Sequence, residues 1–104
     1  MTIQVITTLA SREDALTLAR TLVENRAAAC VQIVGPVTSV YRWEGGVEQA
    51  EEYQCWIKTP EARYDALEAA ITAAHPYDVP EILAMPVTHG LAAYVNWVEE
   101  STGD

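Results

Sequence analysis

The sequence is short of positive charge. Only six of its 104 residues are Lys or Arg, against fifteen Asp or Glu, for a formal charge of -9. Lys58 is the only lysine. So few cations cannot assemble a basic patch, which excludes a nucleic-acid or anionic-membrane surface. An acidic surface permits attraction of cations, although its commoner use is solubility. Long apolar runs are missing too: none approaches the roughly 20 residues of a membrane helix. The opening Met1-Thr2-Ile3-Gln4-Val5 lacks the basic segment of a signal peptide, so the expected location is the cytoplasm.

Cysteine and histidine are scarce, at two residues each. Cys30 and Cys55 lie in apolar strand patterns, Ala-Ala-Cys-Val and Gln-Cys-Trp-Ile, which suits small buried hydrophobes in a reducing compartment. Their spacing matches no strong metal motif, and neither does that of His75 with Asp78. There is no glycine-rich phosphate loop, serine nucleophile motif or histidine-rich metal centre. A Cys30–His75 catalytic pair needs an exposed, activated thiolate, against which the apolar context of Cys30 argues. The composition therefore favours a binding protein over an enzyme.

What is present is one domain's worth of chain, half of it hydrophobic. Thr2 to Thr8 alternates like a strand. Ser11 offers a helix cap, with Glu13 and Asp14 at the positive end of the dipole. Leu16, Ala19, Leu22 and Val23 share a helical face, and Arg26 stands near the helix end. Ala27 to Val34 reads as a second strand, with a bend or bulge at Gly35-Pro36. It resumes through Val37, Val40, Tyr41 and Trp43. Gly45-Gly46 predicts a two-residue turn, and Val47 to Thr59 the return strand. Thr59-Pro60-Glu61 has the residues of a helix start. Leu67, Ala70, Ile71 and Ala74 give that helix an apolar face, and His75-Pro76 ends it. Pro80 to Val87 reads as a fourth strand; Leu91, Tyr94, Val95 and Val98 mark a last helix. The order βαββαβ plus a terminal helix predicts an α+β, ferredoxin-like sandwich with a long central hairpin, formed by residues 1–104 as a single domain. Each hairpin arm is longer than two helices cover, and it carries Tyr41, Trp43, Tyr53 and Trp56. Oligomerisation through it is the economical way to protect such edges.

Three blocks carry a family resemblance: RAAACVQIVGPVTSVYRWEGGVEQAEEYQCWIKT at 26–59, HPYDVPEILAMPV at 75–87 and YVNWVEEST at 94–102. Together they resemble the CutA family, the divalent-cation tolerance proteins. The resemblance spans essentially the whole chain. It departs at Ala28, where leucine is usual, a matter of packing. It implies a ferredoxin-like fold, a homotrimer joined through its sheets, and copper binding. The trimeric design is also similar to that of PII signalling proteins, which leaves an alternative: a sensor binding a small organic ligand between subunits.

Within HPYDVPEI, residues 75–82, His75 is the candidate metal ligand, since neutral imidazole binds copper or zinc well. It also stands at a helix end, where its ring can cap carbonyls. Cys30 is the candidate thiolate donor, and His89, in a turn, is at most adventitious. Glu81, opening an apolar strand, is expected to be partly buried and to need a partner. Lys58 is that partner, across a subunit boundary if not within the chain, or else both face one pocket walled by Tyr41, Trp43 and Tyr77. The alternative for this set is a structural polar network that fixes the trimer.

Overall fold

The computed structural model describes residues 1–103. Alternation makes the first strand, β1 (Thr2–Leu9), two-faced: Ile3, Val5 and Leu9 are buried on one side. Ser11 caps α1 (Arg12–Glu24) by accepting the Asp14 amide at 3.1 Å. Arg26 then reverses the chain at φ 63° and donates through its guanidinium to the Gly103 carbonyl. The buried face of α1 is Ala15, Leu18, Ala19 and Leu22. Leu16 and Val23, expected on that face, are 40% and 42% exposed. Leu16 and Leu18 lie on opposite sides of the helix, and it is the side of Leu18, with Ala15, that turns to the core.

The second strand, β2, runs unbroken from Cys30 to Trp43 and pairs with β3 (Gly46–Pro60). The expected irregularity at Gly35-Pro36 is a register shift between Val34 and Val37. A Cβ on Gly35 would sit 2.6 Å from the Tyr53 ring and 3.1 Å from the Glu52 carbonyl. Gly35→Ala is therefore expected to lower the stability by about 1–3 kcal/mol, as overpacking does. An unchanged urea midpoint would mean that the Tyr53 ring moves aside freely.

The hairpin turn is Glu44-Gly45, not Gly45-Gly46. Glu44 and Gly45 take φ of 47° and 79°, and Trp43 faces Gly46. Both placements keep every side chain on the same face, because they differ by two residues in pairing, so hydrophobic alternation cannot distinguish them. The consequence for the cysteines is direct. Cys55 pairs with Ile33, three positions from Cys30 rather than the six the other turn implies. Three positions are roughly 10 Å. Cys55 points into the core and Cys30 lies on the opposite face; both are free thiols.

Thr59 completes β3 instead of capping a helix. Its hydroxyl donates to the Ala27 carbonyl at 2.8 Å. A 3₁₀ turn, Glu61–Arg63, leads into α2 (Tyr64–Ala74), which buries Leu67 and Ile71. The fourth strand is short: β4 is Leu83–Pro86, paired with β1, and the segment 80–82 stays outside it. Proline at position 80 has no ladder donor to extend the strand toward it. The last helix, α3 (Ala92–Thr102), buries Val98 and Thr102.

The sheet order is β2-β3-β1-β4. With α1 and α2 over one face, this is the antiparallel ferredoxin-like α+β sandwich. β1 pairs with β3 only from Pro60 back to Tyr53. Beyond that point β2 and β3 run on alone as a two-stranded ribbon. There Val40, Tyr41, Trp43 and Val47 are 64%, 43%, 60% and 70% exposed. The ribbon draws the molecule out to 45 Å against 26 and 21 Å in the other directions.

Candidate functional site

The site is built from the end of α2. His75 closes the helix, its amide donating to the Ile71 carbonyl at 2.8 Å, and Pro76 prevents continuation. The imidazole turns inward and is buried. Its Nδ1 accepts the Tyr77 amide at 3.1 Å, and its Nε2 lies 2.8 Å from the Thr8 carbonyl. An amide can only donate, so Nδ1 is bare and Nε2–H donates to Thr8. Both ring nitrogens are thus committed within the chain, and a metal on His75 has to displace one of these partners. The ring also meets Tyr77 edge-on, with centroids 4.7 Å apart. His75 thereby links β1 to the segment that follows α2.

Tyr77, so held, reaches across to the hairpin and donates its hydroxyl to Glu52 Oε2 at 3.1 Å. Burial, then the Glu52 carboxylate, push the Tyr77 pKa up to about 12. At neutral pH the phenol is therefore a donor and carries no charge.

Between the ribbon and the 77–81 segment lies an open cleft of about 480 Å³. It brings together Tyr41, Trp43, Tyr77 and Glu81 and adds Glu52, Ser39, Val40, Thr8 and Val79. Glu81 is exposed rather than partly buried. It precedes the shortened β4 and so escapes the sheet. Lys58 is not in the cleft. It lies beside Trp56, with Nζ 6.0 Å from the ring centroid, and hydrogen-bonds the Gln32 amide oxygen. The expected Lys58–Glu81 pairing does not occur within the chain. Lys58 stands opposite Gln4 on β1, whereas the cleft is reached at Thr8. Those four residues amount to roughly 13 Å.

Cys30 stands opposite Lys58 in the sheet, away from His75 by the same interval. It faces Tyr94 of α3, whose pKa is raised by burial first and by Cys30 second. Burial lowers the Lys58 pKa, and Cys30 opposes that shift. The two candidate metal donors, Cys30 and His75, therefore occupy separate places. Among the described residues, no three His, Cys, Asp or Glu side chains converge on a metal position. A metal cage within one chain does not fit. His89 is exposed, its Nδ1 3.1 Å from the Thr88 hydroxyl. Cys55 is sealed in the core, its thiol donating to the Ala15 carbonyl at 3.6 Å, with its pKa pushed up to about 11 by burial. Iodoacetamide at neutral pH is expected to leave Cys55 unmodified in the native protein and to alkylate it in guanidinium. Native labelling of Cys55 would show that the core opens locally.

The sequence reading missed Glu52. Its place in the cleft depends on the bulge at residues 34–37 and on the Glu44-Gly45 turn, and no local pattern marks either register.

The architecture is that of an antiparallel α+β sandwich with a projecting aromatic ribbon. Comparison with known proteins makes this more specific. Residues 3–101 match the family model of the CutA1 divalent ion tolerance protein. The divalent-cation tolerance protein CutA of Thermus thermophilus is 44% identical over 99 residues, covering 95% of this chain and 96% of that protein. The chloroplastic CutA protein of Arabidopsis thaliana is 41% identical over 100 residues, or 96% of this chain but 55% of the plant protein. The solved Thermus structure superposes with a TM-score of 0.95, covering 99% of this chain and all of that one. A structure titled as a periplasmic divalent cation tolerance protein, CutA of Archaeoglobus fulgidus, gives 0.96 at 33% identity, again over 99% of this chain and all of that one. The chain belongs to the CutA divalent-cation tolerance family.

Proposed function

We propose that the chain acts in divalent-cation tolerance as a non-enzymatic homotrimer in the cytoplasm, and that the ion it binds is copper. The observation that carries this reading is the two-stranded ribbon. An isolated hairpin is marginal in water, and this one displays Val40, Tyr41, Trp43 and Val47 to solvent. Association of ribbons from several copies covers those side chains. The copper donors are then shared between copies, from Cys30, which is only half-buried, and from the exposed carboxylates Glu44, Glu48 and Glu51. His75 contributes as a ligand only by releasing Thr8 or Tyr77. Light scattering at micromolar concentration should give three times 11.4 kDa. Calorimetric titration of that species with copper(II) should show saturable binding that weakens in Cys30→Ser. A monomer or a dimer rejects the quaternary reading, and a flat titration rejects copper.

The cleft favours a second reading, a PII-like sensor that binds a small organic ligand. Its volume and its aromatic walls are those of a small-molecule site.

A further inference from the structure

The two outer strands of the sheet, β2 and β4, have different surfaces beside them. Next to β2, α1 presents Leu16, Ala19, Arg20 and Val23 at helical spacing, and Val31 of β2 continues the patch. Leu16 and Val23 are exposed there, and so is Arg20 between them. At the other end of the sheet, a groove of about 500 Å³ lies between the start of α2 and β4. Ile3, Tyr64, Ala84 and Pro86 make it apolar, and its charged side chains are the exposed Glu61 and Asp65. Cross-strand pairing puts patch and groove at one height. Val31 pairs with Ile57, Ile57 with Val5, and Val5 with Ala84, so the two surfaces stand at opposite ends of a single rung. A rotation about an axis parallel to the strands preserves height. It can bring the patch of one copy onto the groove of the next, and the contact repeats until a ring closes. The chemistry agrees with the geometry. An apolar stripe meets an apolar groove, and one of the chain's six cations meets two carboxylates.

We infer that the α1 patch of one copy docks in the α2–β4 groove of the next, with Leu16 and Val23 entering the groove and Arg20 reaching Asp65 and Glu61. This rests on the homotrimer reading and adds to it a head-to-tail contact on the helix side of the sheet, apart from the ribbon. Each copy gives its patch to one neighbour and its groove to the other, so a closed ring leaves neither surface in water.

Light scattering on dilution of the full chain tests the contact. Arg20→Glu and Asp65→Arg should each dissociate at concentrations at least about tenfold above that at which the parent does, and the variant carrying both changes should return to within about threefold of the parent. Arg12→Glu, the same charge change at the exposed start of α1, should shift dissociation less than about twofold. A second measurement does not depend on affinity. In a Cys30→Ser background, Arg20→Cys combined with Asp65→Cys should give covalent trimers on a denaturing gel after treatment with a short bismaleimide, and either cysteine alone should give monomers. Single variants that dissociate as the parent does, a double variant that is not restored, or an absence of covalent trimers would each overturn the contact and leave the homotrimer reading standing. Covalent dimers from one cysteine alone would mean that like surfaces meet, which also overturns it. A parent that scatters as a monomer would overturn the homotrimer reading and the contact with it.

Discussion

Replacement of His75 by alanine is expected to destabilise the protein by about 2–4 kcal/mol, while His89→Ala changes stability by less than about 0.5 kcal/mol. The difference follows from what each ring touches. The His75 imidazole is buried, donates to the Thr8 carbonyl and accepts the Tyr77 amide. Truncation leaves those two backbone groups without their partner, and a buried unsatisfied group costs about 1–3 kcal/mol. It also opens a ring-sized space beside Tyr77. His89 is exposed and meets only its neighbour Thr88. Urea unfolding should give a lower midpoint at the same slope for the first variant and a parental curve for the second. Copper titration of the same pair separates position from ligation. A structural His75 gives a variant that melts early yet binds copper as the parent does at a temperature where both are folded. A copper affinity that falls without loss of stability would make the ring a ligand and the hydrogen-bond account wrong.

HPYDVPEI by itself leaves open whether its histidine faces a metal or bridges two elements. Sequence gives the residue types and the helix stop, because Pro76 cannot continue α2. It does not give the partner. The Thr8 carbonyl is 67 residues away in the chain and carries no side-chain signature. Element types were legible throughout: alternation marks β1, Ser11 marks the start of α1, and the shift at Gly35-Pro36 was visible as an interruption of apolar residues. Registers were not. Glu-Gly-Gly offers two hairpin turns that bury the same side chains, and the choice moves Glu52 relative to Tyr77. Thr59-Pro60-Glu61 has the residues of a capped helix, yet Thr59 is drawn into the sheet by the Ala27 carbonyl. Tertiary pairing outweighs local capping there.

The candidate site divides along the same line. Tyr41, Trp43, Tyr77 and Glu81 meet because strand alternation and the hairpin bring odd-numbered β2 positions, with Glu52 of β3 on the same face, toward the 77–81 segment. Lys58 was grouped with them on charge alone. Its strand position, opposite Gln4, puts it near Cys30 and Tyr94 instead. A lone cation in an acidic chain is an attractive partner for any carboxylate, so register rather than charge decides which one it meets.

Trp43→Ala is expected to leave the isolated fold nearly unchanged and to weaken assembly by at least about 2 kcal/mol. In the single chain Trp43 is 60% exposed at the end of β2, opposite Gly46, so it contributes little packing to its own domain. Its neighbours on the ribbon, Val40, Tyr41 and Val47, are also uncovered. A large exposed aromatic, with Tyr41 beside it on the same ribbon face, is the side chain on which an interface most depends, because it removes the most apolar area from water. The loss should therefore depend on concentration. On dilution, light scattering should show Trp43→Ala dissociating at concentrations where the parent remains assembled. Its melting temperature should rise with protein concentration, as mass action requires of a subunit stabilised by its partners. A concentration-independent fall in melting temperature would place the Trp43 contact within the chain. Assembly and melting like the parent would remove the ribbon as the main contact between copies, and the uncovered β4 edge, with Leu83 and Met85 at 60% and 39% exposure, becomes the surface to test next.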